Sequence, residues 1–310
     1  MTGKNGQPTV TSMVAQQTLF EGVKLNEIVN VAQVRQYSPF RYPGGKTWLV
    51  PRIRKWLRGL PASSNDFFEP FAGGGILSLT VAFEQLAGHV TMVELDEEVA
   101  AVWETILNGK AEWLAKRILN FDLTPESLQK TLTKKTGAVN EIAFKTILKN
   151  RTYHGGILAN GSGVLKHGEN GKGIHSRWYA ETLNKRIRHI SSIRDRLTFI
   201  HDNGLDVIRR HSASKNAIWF IDPPYTVKGK GKRAGKRLYT YSELDHEELF
   251  RLMSKVSGAF LMTYDNDESV RELAQKYAFD FEPIAMKGTH HAEMKELLIG
   301  RDLSWARTRT

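Results

Sequence analysis

The stretch "DFFEPFAGGGILSL", residues 66–79, followed by "VTMVELDEEV", residues 90–99, decides how this chain folds. Phe67 to Phe71 reads as a short buried strand that stops at Gly73-Gly74-Gly75, and an apolar helix runs on to about Leu86. His89 to Leu95 reads as a second strand and Asp96 to Leu107 as a second helix. Strand, glycine turn, helix, strand is a βαβ unit, which implies a parallel sheet. Glycines after a strand let the backbone approach a ligand, and the helix behind them presents unpaired N–H groups. Glu94 ends the second strand about 20 residues further on, a spacing that suits hydrogen bonding to a ribose diol. The pattern is not G-x-G-x-x-G and no phosphate-clamping Lys-Ser/Thr follows, so neither a dinucleotide fingerprint nor a P-loop fits. Glycines that only pack a helix onto a strand are the plainer alternative.

Working outward, Leu49, Ile53, Trp56, Leu57 and Leu60 recur at helical spacing upstream, over Thr47 to Leu60. Downstream the alternation returns: strand Leu197–His201, helix Leu205–His211, strand Ala217–Ile221, helix Glu243–Val256, strand Ala259–Tyr264 and helix Asp267–Tyr277. Ser242 and Asp245 fit a capping box for the fourth of these. Two last strands are expected near Asp280–Ala285 and Glu296–Ile299. Between these blocks the character changes. Helical patterns at Ala111–Leu119, Pro125–Leu132 and Glu141–Lys149 precede the glycine-rich "NRTYHGGILANGSGVLKHGENGKGIHSRWY", residues 150–179, and Leu183 to Ile193 resumes a helical stripe. A loop that long in a compact domain is functional or disordered, and its cations and aromatics are unlike a Gly/Ser linker. The reading is an α/β domain over 37–103 and 194–310, a mostly helical insert over 104–193, and a weakly ordered polar lead-in over 1–36.

A second constellation closes the strand Ala217–Ile221, which stops at Asp222-Pro223-Pro224-Tyr225. Proline cannot donate to a sheet ladder, so Pro223 and Pro224 end the strand and stiffen the chain. Asp222 then sits at the carboxyl edge of a parallel strand, where open α/β sheets bind ligands. An acid, a fixed carbonyl and the flat face of Tyr225 make a receptor for a planar group bearing an N–H₂. Directly after it, Lys228, Lys230, Lys232, Arg233, Lys236 and Arg237 give six basic residues in ten.

Composition narrows the chemistry. The 310 residues carry 44 Lys+Arg against 33 Asp+Glu, net +11, and such an excess favours a polyanionic partner. With 41% hydrophobic residues the chain can bury a core, yet no apolar run approaches the length of a membrane span. A cytoplasmic location without membrane contact is expected. There is no cysteine, which removes disulfides, thiolate metal sites and cysteine nucleophiles. His290 and His291 lack partners at metal-ligand spacing, and no metal is expected.

"IDPPY" and "EPFAGGG", together with "FRYPGGK" (Phe40–Lys46), "NRTYHGG" (Asn150–Gly156) and "KELLIGR" (Lys295–Arg301), stand in an order that resembles the D12 class of adenine-specific DNA methyltransferases, over about residues 37–301. The resemblance implies a Rossmann-like sheet binding S-adenosylmethionine and an insert that recognises the target in double-stranded DNA. It implies that Tyr42, Gly44, Gly45 and Lys46 line the cofactor and catalytic pocket, that Glu69, Phe71, Gly73 and Gly75 form the cofactor loop, and that Glu94 takes the ribose hydroxyls. Asp222 and the Pro223 carbonyl would accept from the target N6 amino group, with Pro224 stiffening the turn and Tyr225 stacked on a flipped adenine. Where the family has an acid facing the cofactor adenine, Asp202 and Asn203 both fit. Arg151, Lys166 and Arg177 in the insert, and Lys228, Lys230, Lys232 and Arg233 after the catalytic motif, are the expected DNA contacts of a monomer.

The absence of cysteine excludes methylation at cytosine C5, which needs a thiolate adduct. N4-cytosine or RNA N6-adenine methylation, and a non-catalytic nucleic-acid-binding role on the same scaffold, remain as alternatives. The target sequence is not legible.

Overall fold

A computed structural model of the chain describes residues 28–41, 44–61, 65–159, 161–224, 244–287 and 293–307. A seven-stranded sheet runs through it: β1 (Asp66–Glu69), β2 (His89–Glu94), β3 (Leu197–His201), β4 (Ala217–Ile221), β5 (Ala259–Asp265), β6 (Asp280–Lys287) and β7 (Glu293–Gly300). The strand order is β3-β2-β1-β4-β5-β7-β6. The first five are parallel, and β7 enters antiparallel between β5 and β6. The chain therefore reverses its direction of winding between β1 and β4, and such a switch point opens a crevice at the strands' carboxyl ends.

Central strands are buried on both faces, which is why they read as unbroken apolar runs. Every residue of β4 is buried, and its side chains alternate between two cores. Ile218 and Phe220 join Phe67, Met92 and Leu261 on one side, while Ala217, Trp219 and Ile221 join Phe68, Val93 and Met262 on the other. The second side is covered by α8 (Gly204–His211), α9 (His246–Lys255) and α10 (Glu268–Lys276). The first is covered by α1 (Val50–Arg58), α2 (Ile76–Phe83) and α3 (Glu97–Thr105), and by the closing turn α11 (Ser304–Arg307).

The helices of the insert, α4 (Ala111–Leu119), α5 (Pro125–Thr133), α6 (Val139–Thr152) and α7 (Ala180–Ser192), bury Leu114, Ile118, Phe144, Ile147 and Ile187 in that same first core. A charge pair between Lys149 Nζ and Glu98 Oε2, 2.8 Å, joins α6 to α3. The 3₁₀ turns and one isolated bridge, Tyr153 with Val164, are the only regular structure described within 153–179.

Two boundaries differ from the sequence reading for physical reasons. Asp245, not Ser242, caps α9: its carboxylate accepts from Glu248 N at 2.9 Å, and the helix starts at His246. An Asp followed three residues later by Glu is itself a helix-start signature, and Ser242 lies outside the described residues. The helix after β2 ends at Thr105, because Asn108 and Gly109 leave helical geometry in a wide turn, Gly109 at φ 88°. No helix among the described residues is long and apolar enough to cross a membrane.

Candidate active site

Parallel strands end on one edge, so the acids that terminate them gather there. Glu69 closes β1, Glu94 closes β2, Asp202 and Asn203 follow β3, Asp222 follows β4, and Asp265 closes β5. Burial keeps two of them, Glu69 and Glu94, from ionising freely. It pushes Glu69 up to about 8, with Ser78 opposing through its hydroxyl and backbone N–H and the charges of Asp222 and Glu94 adding to the rise. Glu94 is pushed up to about 6 by burial, against backbone donors that hold it down.

The glycine loop is fixed from three sides. Ala72 N donates to Val93 O at 2.9 Å, Gly73 N donates to Glu94 Oε2 at 2.9 Å, and Trp103 Nε1 donates to Gly73 O at 2.9 Å. The other Glu94 oxygen accepts from Leu95 N (2.8 Å) and Asp96 N (2.9 Å). Three amides thus hold this carboxylate at the strand end, and a carboxylate retains acceptor capacity beyond three bonds. Gly75 caps α2 in the left-handed region, φ 62°, and a Cβ there would stand 2.5 Å from Met92 Cε and 3.0 Å from Trp103. Gly204 opens α8 against the same loop: a Cβ would lie 2.4 Å from Pro70 O and 3.1 Å from the Phe71 ring. The loop's backbone, with an acid of spare acceptor capacity one strand over, fits a nucleoside-bearing cofactor of the S-adenosylmethionine kind.

Of the two candidates after β3, Asn203 Oδ1 caps α8 by accepting from Leu205 N at 2.9 Å. Asp202 pairs with Arg210 at 2.6 Å and is held below the usual carboxylate range by that hydrogen bond.

A buried ammonium organises the edge at the end of β4. Lys46 is 3% exposed, and its Nζ lies 3.0 Å from Asp222 Oδ1, 3.4 Å from Glu296 Oε2 and 3.1 Å from Gly44 O. Thr263 Oγ1 on β5 donates to the same Asp222 oxygen at 2.9 Å. A buried charge persists only when paired and hydrogen-bonded, and Lys46 has two acids and a carbonyl. Gly44, at φ 72°, gives the turn that brings this carbonyl round to its own lysine. Behind Asp222, Pro223 is buried and ends the strand.

The insert holds the segment that delivers Lys46. Asn150 is fully buried; its amide donates to Arg41 O (2.9 Å) and Gly156 O (2.7 Å), and its carbonyl accepts from Arg41 N (2.9 Å). Arg186 donates to Ser38 O at 2.8 Å, and Arg151 donates to Pro39 O. Gly156, φ 74°, lies so close that a Cβ would stand 2.5 Å from Arg41 O. Arg151, expected from the sequence among the DNA contacts, is placed against this segment. Its guanidinium is turned inward, 4% exposed, and burial together with the charges of Arg186 and Arg41 lowers it to about 9. Lys166 is exposed and Arg177 half-buried on the insert's loop face.

The structure thus brings together Gly44, Lys46, Glu69, Gly73, Gly75, Glu94 and Asp222 at one edge. Tyr42, Tyr225, Lys228, Lys230, Lys232, Arg233, His290 and His291 lie outside the described residues. Sequence reasoning did not assign Glu296 or Thr263. Glu296 stands as a single acid just ahead of the buried Leu297, Leu298 and Ile299, and the partners that give it meaning are distant in sequence.

The sequence profile described as D12 class N6 adenine-specific DNA methyltransferase matches residues 42–288. No curated protein matches the chain at a significant level. Among solved structures, the chain is similar to the rRNA methyltransferase AviRa of Streptomyces viridochromogenes (12% identity, TM-score 0.36, covering 91% of this chain and 95% of that one). It is also similar to a precorrin-6y C5,15-methyltransferase of Geobacter metallireducens (10%, 0.32, 80% and 85%). A third is TYW2 of M. jannaschii in complex with AdoMet (10%, 0.32, 90% and 86%).

Proposed function

This chain belongs to the D12 class of N6 adenine-specific DNA methyltransferases, and from that membership we propose that it methylates N6 of an adenine turned out of duplex DNA. It is an S-adenosylmethionine-dependent methyltransferase by family; the substrate and the roles below are the proposal. The observation that carries it is Asp222, followed by Pro223-Pro224 at the sheet's carboxyl edge and bonded by Lys46 and Thr263.

The glycine loop with Glu69, Phe71, Gly73 and Gly75 would hold the cofactor, Glu94 taking the ribose hydroxyls and Asp202 or Asn203 the adenine side. When bound, S-adenosylmethionine supplies an electrophilic methyl group on a sulfonium. An aminopurine nitrogen is a poor nucleophile because its lone pair is delocalised into the ring. Hydrogen bonds accepted by Asp222 and the Pro223 carbonyl favour a pyramidal nitrogen whose lone pair can aim at the methyl. The amino nitrogen forms the N–C bond as the methyl–sulfur bond breaks, in line and without a covalent enzyme intermediate. It then carries a positive charge, and its proton, acidic at that stage, passes to water. Holding the two reactants near contact can supply up to ~7–11 kcal/mol of effective molarity. Extrusion of the base costs a few kcal/mol, which stacking on Tyr225 helps offset.

Lys166 and Arg177 on the insert, and Lys228, Lys230, Lys232 and Arg233 in the basic run, would contact phosphate. The experiment is incubation with labelled S-adenosylmethionine and duplex DNA or RNA, then identification of the modified nucleoside. N6-methyladenine in DNA is the expected product. Label in N4-methylcytosine or only in RNA would replace this reading, and no transfer to any nucleic acid would favour a binding role.

A further inference from the structure

Lys46 is one cation held by two acids, and the two grips differ. Asp222 Oδ1 stands at 3.0 Å, inside hydrogen-bond distance, and also accepts from Thr263. Glu296 Oε2 stands at 3.4 Å, and this buried oxygen has no hydrogen-bond partner among the described residues. At 3.4 Å against 3.0 Å, its hold on the ammonium is the looser of the two. The described residues bring three charged groups to Glu296. Lys46 comes from the loop ahead of α1, Asp222 from the end of β4, and Asp265 lies directly opposite on β5. From β6 the opposing residue is Ile284, which is apolar.

We propose that Glu296 is a positioning residue for methyl transfer: it competes with Asp222 for the Lys46 ammonium, and so sets how much of the Asp222 charge faces the target amino group. The inference rests on the role given to Asp222 above. Burial pushes the Glu296 carboxyl up to about 7, with Asp222 and Asp265 adding to the rise and Lys46 opposing it. Below that point Glu296 is neutral, Asp222 is the charged acid that pairs with Lys46, and the Asp222 carboxylate is a weaker acceptor. Above it Glu296 shares the cation and Asp222 accepts more strongly. Turnover should therefore rise with pH through the neutral range.

The test is kcat against pH, from about pH 5.5 to about 9, at saturating cofactor and DNA, for wild type, Glu296→Gln and Glu296→Asp. Glutamine keeps the shape and removes the titration. It should flatten the neutral limb and hold alkaline kcat about three- to tenfold below wild type, with KM for S-adenosylmethionine little changed. Aspartate should keep a limb. A limb that persists in Glu296→Gln overturns the proposal. A readout independent of turnover and of the variants' folding in assay is the carbon-13 NMR titration of Glu296 in wild type and Asp222→Asn. Leaving Lys46 to Glu296 alone should lower its midpoint by about one unit or more; an unmoved midpoint overturns the inference. If the wild type methylates no adenine, the functional reading fails by itself, and this titration still tests whether the charges of Asp222 and Lys46 govern Glu296.

Discussion

At the residue scale, burial raises the proton affinity of the two carboxylates that close β1 and β2. Glu69 shows the consequence most clearly. Its carboxyl holds a proton up to about 8 when folded, against a usual 4.5. Over that window the folded chain binds more protons than the unfolded chain, so stability falls as pH rises. Glu69→Gln removes this titration while leaving an acceptor for Ser78. We predict that the decline in Tm between acid and alkaline pH becomes shallower in the variant, by on the order of a few kcal/mol of stability across the window. Parallel wild-type and variant curves would contradict it. The glycines act at the same scale. Gly75→Ala should destabilise by about 2 kcal/mol or more, because φ 62° and Met92 Cε at 2.5 Å oppose it together. Urea denaturation measures this, and cofactor affinity should fall with it.

At the element scale, the helices between α3 and β3 are tied to the segment ahead of Lys46 as well as to the core. Asn150 uses donor and acceptor alike on the backbone of Arg41, five residues ahead of Lys46. Asn150→Ala would leave those buried groups unpaired, at about 1–3 kcal/mol for such a loss. The expected outcome is lowered Tm and a kcat reduced about tenfold with cofactor affinity nearly kept. Unchanged kcat would mean that the clasp only stabilises. The elements also show why reading succeeded where it did. β4 was legible because a strand covered on both faces must be apolar throughout, and its five residues stop at two prolines. The extent of α9 was misjudged because two potential caps stood three residues apart, and only the donor geometry at Glu248 decides between them.

At the scale of the whole molecule, strand order brings distant residues to one edge. The glycine loop, Glu94 and Asp222 were legible because each is a local signal at a strand's end. Glu296 was not, since its neighbours Lys46 and Asp222 stand far away in sequence and meet it only after β7 inserts beside β5. The inward turn of Arg151 was not legible for the same reason: its partner Pro39 is distant in sequence and meets it only in the fold. Net charge belongs to this scale too. If the basic run after Tyr225 contacts phosphate, replacing Lys230, Lys232 and Arg233 by Ala weakens DNA binding and shallows the plot of log K against log salt by about 2–3. An unchanged slope would leave that run as a solvated surface.

The most direct test is labelled-methyl transfer to duplex DNA by wild type and Asp222→Ala, with the product nucleoside identified and cofactor binding measured in parallel. The account predicts N6-methyladenine from wild type. It predicts loss of at least about a thousandfold in rate from the variant, with cofactor binding largely retained. Methyl transfer to adenine at near wild-type rate by Asp222→Ala would contradict it.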